Sequence, residues 1–276
     1  IEIKDEDDFT NISIGPLAQF LINRSAKNRE FAFSFHWYVR AEIQISNKYK
    51  IDDDFFHLVY KNFLEKLEET EEGKFTIKEL RLQGEFISDI LTVLRRLHNI
   101  DRSKKTEKLK KFIKDINIKE FIPNPLKSNT YITSIDQNSV KIFPSANNPA
   151  IIDLITIDSD MNKKNYRIMF KSEDLRQDQL CISMIRMMDR LFINEGFNFH
   201  ILFYNIIATS SDEGFLEFVP DSLPISKIIK EYSDIKQFLT NVNNPEKDDE
   251  GFRKKYQDCE YTDRFIKSSA AYTIMM

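Results

Sequence analysis

Residues Tyr166–Phe192 read YRIMFKSEDLRQDQLCISMIRMMDRLF, and two periods meet inside them. From Tyr166 to Lys171 the letters alternate. Tyr166, Ile168 and Phe170 therefore face one side of a strand, and Arg167, Met169 and Lys171 the other. An acidic turn follows at Glu173 and Asp174. Leu180, Ile182, Met184, Ile185, Met188, Leu191 and Phe192 then recur at helical spacing over about 175–194. A lysine on a sheet face, beside a helix that carries Asp178, has the chemistry to grip a phosphate: the ammonium binds as a point charge and a nearby carboxylate fixes its position. Asp178 also has an ordinary role, complementing the positive helix end by roughly 0.3–1 kcal/mol.

Outward from this stretch the chain keeps two textures. Segments near 131–135, 139–143, 151–157, 199–208 and 214–219 are rich in Ile, Phe, Tyr and Val and read as strands, with a turn at Asn147, Asn148 and Pro149. Helices are predicted over 224–231, 234–242 and 251–276. The first 118 residues are helical in pattern: a start at Pro16, a segment from Lys27 to about Ser46, a helix capped by Asp53 or Asp54, and another from Thr76 to about Asn99. Residues 102–119 are basic, which suits a solvated helix face with Leu109, Phe112 and Ile116 turned inward, or attraction to an anionic membrane. Pro123 and Pro125 end the helical run, so a boundary is expected near 119–128. The fold class is α+β, a mostly antiparallel sheet with one principal helix behind a helical array.

Composition narrows the function. The 276 residues hold only 6 glycines, and no two are separated by a single residue, so neither a GxGxxG fingerprint nor a Walker A loop is present. Two cysteines and four unpaired histidines argue against a disulfide framework and a zinc site. A net charge of −4 does not announce nucleic acid. No run approaches the length of a membrane span, and the charged N-terminus lacks a signal-peptide core. Both ends read as cut from something longer, and the cytoplasm is the default compartment. His200 reads as a structural imidazole in an apolar strand, Cys181 as small core filler, and Met184, Met187 and Met188 as core filler.

At FKSEDLRQDQL (Phe170–Leu180) the letters resemble the lysine strand and following helix of phosphatidylinositol 3- and 4-kinases, I-F-K-H-G-D-D-L-R-Q-D. LFYNIIATSSDEGFLEF (Leu202–Phe218) is similar to that family's L-x-P-Y-x-x-x-A-T-S-x-x-x-G-F. IKSSAAYTI (Ile266–Ile274) is similar to its V-K-S-C-A-G-Y-C-V, and FPSANNPA (Phe143–Ala150) to its phosphate loop F-K-S-A-x-x-P-A. FLINRSAKN and WYVRAEI (Phe20–Asn28, Trp37–Ile43) resemble the end of the family's helical domain. The flavour is closest to the class III, endosomal and autophagic, phosphatidylinositol 3-kinases.

The resemblance implies an architecture: residues 1–122 as the C-terminal part of a helical accessory domain, and 123–276 as a protein-kinase-like N-lobe with the start of a C-lobe. It implies ATP with Mg²⁺ or Mn²⁺, phosphatidylinositol in membranes as substrate, and a regulatory scaffold subunit. The implied location is peripheral, on endosomal and autophagic membranes. By match, Lys171 contacts ATP phosphate, Ser145 lies near the terminal phosphates, and Pro149 and Ile151 lie over the nucleotide. Asp178 and Tyr204 form the polar pair at the back of the pocket. Glu217 and Val219 are the hinge positions that receive adenine, while Met169, Leu216 and Phe218 are apolar walls. Three departures stand out. Ser172-Glu173-Asp174 replaces H-G-D-D with one residue fewer, Phe203 replaces a proline, and Ala271 replaces a glycine. Neither Asp-Arg-His-x-x-Asn nor Asp-Phe-Gly occurs in the sequence, so the chain alone is expected to be catalytically inactive. The rivals are a class I or II enzyme, a 4-kinase, or a pseudokinase scaffold.

Overall fold

The computed structural model describes residues 14–49, 55–143, 148–243 and 261–275. The chain divides into two compact units, one of Ile1–Gln179 with Asn205–Phe218, the other of Leu180–Tyr204 with Val219–Met276.

The first unit opens with α1 (Pro16–Ser25), α2 (Arg29–Tyr49), α3 (Phe55–Glu68) and α4 (Glu71–Arg95). Pro16 stands in the first turn of α1, where a missing N–H leaves no bond unmade. The fourth helix starts earlier than Thr76. Thr70 Oγ1 accepts the Gly73 N–H at 3.0 Å, and Glu71 and Glu72 complement the positive helix end. Gly73 itself permits a close α3–α4 approach, since a Cβ there would stand 1.9 Å from the Leu67 carbonyl oxygen. Phe33, Ile43, Phe63, Leu67 and Leu80 form a core among α2, α3 and α4. Asp53 and Asp54, the expected caps of α3, lie outside the described residues. The basic run folds as α5 (Lys105–Phe112) between two short 3₁₀ turns. Leu109 and Ile113 are buried, while Lys108, Lys111 and Lys114 face solvent.

The sheet comprises β1 (Ile122–Pro123), β2 (Tyr131–Ile142), β3 (Ala150–Ile157), β4 (Lys163–Lys171), β5 (Ile206–Ala208) and β6 (Gly214–Glu217). Every pairing is antiparallel, in the order β1-β2-β3-β4-β6-β5. The segments 131–135 and 139–143 are one strand. A register shift between Asp136 and Lys141 lets the intervening residues bulge, with Asn138 and Ser139 bonded back to Asp136. In contrast, only Ile206–Ala208 of the expected strand 199–208 pairs. His200 is exposed at φ 55° and its N–H donates to Asn198 Oδ1, so an Asn-led turn replaces the apolar strand.

Alternation in β4 decides what covers the sheet. Tyr166, Ile168 and Phe170 join Ile132, Ile152, Leu154 and Phe215 in a core completed by Trp37, Phe86, Ile90 and Leu94 of α2 and α4 and by Leu109 of α5. Arg29 adds a polar tie. Its guanidinium donates to both carboxylate oxygens of buried Glu79 at 2.6 Å, to Tyr131 Oη at 3.1 Å and to the Ser128 carbonyl at 3.0 Å. The opposite face of β3, β4 and β6 carries the residues that the phosphate chemistry singles out.

The second unit holds most of α6 (Arg176–Asn194), with α7 (Ile225–Tyr232), α8 (Ile235–Asn243) and α9 (Tyr261–Met275). Tyr272 Oη donates to the Leu202 carbonyl at 2.8 Å, and Tyr232 meets Phe238 edge-on. Cys181, Met184 and Met187 are exposed rather than core filler. The helical period shows which side chains share a face, not whether that face is covered. Ile185 is the apolar side chain that α6 buries.

Candidate functional site

Register builds the site. Ile151 of β3 lies opposite Met169 of β4, Met169 opposite Leu216 of β6, and Leu216 opposite Ile206 of β5. Directly opposed residues share a face, so Ile151, Met169 and Leu216 form an apolar row across three strands. Lys171 stands two residues beyond Met169 on the same face, opposite Gly214. The glycine is required there: a Cβ on Gly214 would come within 2.5 Å of the Ile207 carbonyl oxygen and 2.9 Å of Leu175 Cδ1. Arg167, on the other side of Met169, forms a two-pronged bond to Asp153 at 2.5 and 2.7 Å. Burial pushes the Asp153 carboxyl up, but the hydrogen bonds from Arg167 and its charge outweigh that and hold it below the ordinary aspartate value.

The turn after β4 assigns its side chains one by one. Lys171 Nζ donates to Glu173 Oε1 at 2.7 Å. Asp174 Oδ1 accepts the Arg176 backbone N–H at 3.0 Å, and the Arg176 guanidinium bonds both Asp174 and, at 3.3 Å, Glu42 of α2. The hydrogen bond to Arg176 holds the Asp174 carboxyl below its usual value. Leu175 is fully buried, and Gln179 Oε1 accepts the Ala208 N–H at 3.3 Å, which fastens the start of α6 to β5. Asp178 is exposed and has no ion-pair partner among the described residues. It lies in the first turn of α6, where it complements the positive helix end.

The far end of the row is clamped as well. Glu217 N–H donates to the Asn205 carbonyl at 2.8 Å, and Glu217 Oε2 accepts from Asn205 Nδ2 at 2.9 Å. Phe218 N–H donates to the Arg167 carbonyl at 2.9 Å, so the chain leaves the sheet with its first residues pinned. Pro149 is half-buried at the base of the β2–β3 hairpin, where its carbonyl accepts the Phe143 N–H at 2.9 Å. Ser145 lies outside the described residues. Tyr204 and Val219 belong to the second unit, where both are half-buried and the Val219 carbonyl accepts Ser222 Oγ at 2.8 Å.

The structure therefore brings Ile151, Met169, Lys171, Leu216 and Glu217 onto neighbouring positions of one sheet, with Phe218 directly after the end of β6. Sequence reasoning had no role for three residues it needs: Glu173 as the holder of Lys171, Asn205 as the clamp on Glu217, and Asp153 as the partner of Arg167. The first was legible from its place two residues past the lysine. The other two depend on pairings between distant strands. Among the described residues, no group of three His, Cys, Asp or Glu side chains is placed to hold a metal ion, and no helix is long and apolar enough to cross a membrane.

Comparison with known proteins converges on one family. Residues 165–276 match the family described as phosphatidylinositol 3- and 4-kinase. The chain is 27% identical over 270 residues to phosphatidylinositol 3-kinase VPS34 of Candida glabrata, covering 96% of this chain and 28% of that protein. It is 30% identical over 269 residues to phosphatidylinositol 3-kinase VPS34 of Arabidopsis thaliana, covering 94% of this chain and 32% of that protein. The VPS34 protein of Saccharomyces cerevisiae is 27% identical over 270 residues, 96% of this chain and 28% of its own length. The chain thus spans about a third of the length of the curated relatives it matches.

Proposed function

We propose that this chain, whose residues 165–276 match the phosphatidylinositol 3- and 4-kinase family, supplies the ATP-holding half of a lipid kinase, whose parent phosphorylates the 3-hydroxyl of phosphatidylinositol. The observation that carries the reading is the row Ile151–Met169–Leu216 with Lys171 beyond it on the same sheet face, its ammonium tethered by Glu173. An apolar row suits the faces of a planar base, and a tethered ammonium suits the charge of a phosphate.

In this reading Ile151, Met169, Leu216 and Phe218 wall the adenine, and backbone groups of Glu217 and Val219 receive its edge. Lys171 binds phosphate oxygens, with Pro149 and Ser145 on the loop above. Asp178 and Tyr204 supply polar contact at the back. ATP arrives with a divalent cation, which neutralises phosphate charge during transfer. In the same reading, residues 1–122 are the C-terminal part of the helical accessory domain and 123–276 the kinase N-lobe with the start of the C-lobe. Peripheral residence on endosomal and autophagic membranes, and a regulatory scaffold subunit, belong to the same reading.

Equilibrium dialysis of Mg-ATP against the 276-residue chain tests it. Binding is expected at the weak end of ordinary nucleotide affinities, around 1 mM, with no lipid phosphorylation by this chain alone. Lys171→Ala should weaken binding at least tenfold. Glu173→Gln should weaken it several-fold without lowering the melting temperature, because both partners are about one-third exposed and such a pair adds roughly 0–1 kcal/mol to stability. Unaltered binding in Lys171→Ala would remove the lysine from the site. Complete absence of binding, in a chain that melts cooperatively, would favour the scaffold reading, for which the altered turn at 172–174 is the motivating feature.

A further inference from the structure

A second site lies among the helices of the first unit, away from the kinase row. A cavity of about 460 Å³ opens between α2, α3 and α4, with His36, Arg40, Tyr60 and Arg81 among its lining residues. Its chemistry is unusual for a helical core. Arg40 is half-buried, and burial pulls its guanidinium below the ordinary arginine value. Arg40 lies over the Trp37 ring at 5.2 Å. It rests directly against α4 at Gly84, where a Cβ would stand 2.5 Å from Arg40 Nη1. A partly desolvated cation is normally paired. Yet among the described residues neither Arg40 nor Arg81 has a carboxylate within ion-pair distance.

The polar groups deeper in the cavity point to the same missing partner. Tyr60 Oη meets His36 Nδ1 at 2.9 Å, and both side chains are buried. Burial pushes the Tyr60 hydroxyl up to about 12, with the charges of Arg40 and Arg81 both pulling it down. Two guanidinium groups therefore bear on one tyrosine hydroxyl. His36 Nε2 is buried without a hydrogen-bond partner. When Tyr60 donates to Nδ1, Nε2 carries the ring proton and is a donor with nothing to receive it. Two cations and a spare donor ask for an anion.

We propose that this cavity binds the phosphate group of a small organic phosphomonoester, with Arg40 and Arg81 as its counter-ions. The volume exceeds what a bare phosphate needs, given that a water takes about 30 Å³. Leu64, Ile77 and Leu80 offer an apolar wall for the rest of the molecule. Glu85 and Asp89 also line the cavity and repel further negative charge, so a single phosphate on a hydroxylated or amine-bearing body suits it better than a polyphosphate. The inference is independent of the ATP reading, since it shares no residue with that site.

The protein carries its own reporter, because Trp37 is its sole tryptophan and Arg40 lies on its ring. Trp37 emission of the 276-residue chain is followed during titration with inorganic phosphate, with glycerol 3-phosphate, and with chloride at matched ionic strength. A saturable change with glycerol 3-phosphate, at least tenfold tighter than with inorganic phosphate and absent with chloride, is the expected result. Arg81→Gln, on an exposed side chain, should weaken it at least tenfold while the melting temperature holds. Arg40→Met should abolish the response and raise the melting temperature of the ligand-free chain, since it removes an unpaired desolvated charge. Vesicles of phosphatidylcholine containing phosphatidic acid distinguish the source. A response to them as strong as to the soluble ester marks a lipid headgroup, and none marks a free metabolite. No saturable change with either phosphate, an unaltered response in Arg81→Gln, or saturation only by an acidic peptide would overturn the proposal.

Discussion

Asp153 is the most consequential single side chain on the sheet face opposite the shared core. Its carboxylate is almost fully buried and is held by both prongs of Arg167, whose own side chain is 46% exposed. Removing one partner of a buried pair strands the other, at roughly 3–5 kcal/mol when both are buried and less here because Arg167 reaches water. The folded carboxyl sits below its ordinary value, so the pair stabilises the fold above the unfolded aspartate pKa of about 3.9 and loses that contribution as pH falls through the lower folded value. Asp153→Asn should therefore melt lower than the parent at pH 7, with the gap closing toward pH 3. A gap that stays constant across that range would mean the loss is one of packing rather than charge. Sequence alternation placed Arg167 beside Met169 and Lys171 but offered no partner for it. Asp153 stands opposite only because β3 and β4 pair in one particular register.

At the scale of elements, Gly214 shows how a short strand is made to fit. It faces Lys171 across the β4–β6 pair, and the space a Cβ would take is occupied by the Ile207 carbonyl and by Leu175. Gly214→Ala must separate β5 from β6 or lift the start of α6, an overpacking change of about 1–3 kcal/mol. Because the same strand carries Leu216 and Glu217, Mg-ATP binding should fall together with the melting temperature. A variant that loses stability and retains nucleotide affinity would detach Gly214 from the site. The long, strongly periodic elements were legible: α2, α3, α4, α6, β3 and β4 follow the hydrophobic pattern closely. What was not legible depended on side chains acting on the backbone. Thr70 moves the start of α4 forward, Asp136 gathers a bulge within β2, and Asn198 turns the chain at His200 where apolar letters suggested a strand. The exposure of Met184, Met187 and Cys181 was equally out of reach, because periodicity carries no information on what packs against a face.

At the scale of the molecule, the change of texture near 119–128 is a change of secondary structure and not the edge of a core. Ile132, Ile152, Leu154, Ile168, Phe170 and Phe215 of the sheet are buried in the same cluster as Trp37, Phe86, Ile90, Leu94 and Leu109 of the helices. Arg29 of α2 also bonds Ser128 and Tyr131 beyond the texture change. A fragment beginning at residue 123 would turn that sheet face to water. At roughly 1.5–3 kcal/mol for each large apolar side chain, six of them amount to at most about 9–18 kcal/mol. That matches the whole stability of a typical domain, about 5–15 kcal/mol. The fragment 123–276 should therefore lack a cooperative thermal transition, bind a hydrophobic dye and show poorly dispersed amide spectra, while the 276-residue chain melts cooperatively. Should the fragment melt as sharply as the full chain, the sheet would possess a sufficient core of its own and the helices would be a separable neighbour. If it does not, the helical array is the support on which the row proposed to hold the nucleotide is built, and substitutions at Trp37 or Ile90 should disturb Mg-ATP binding without touching that row.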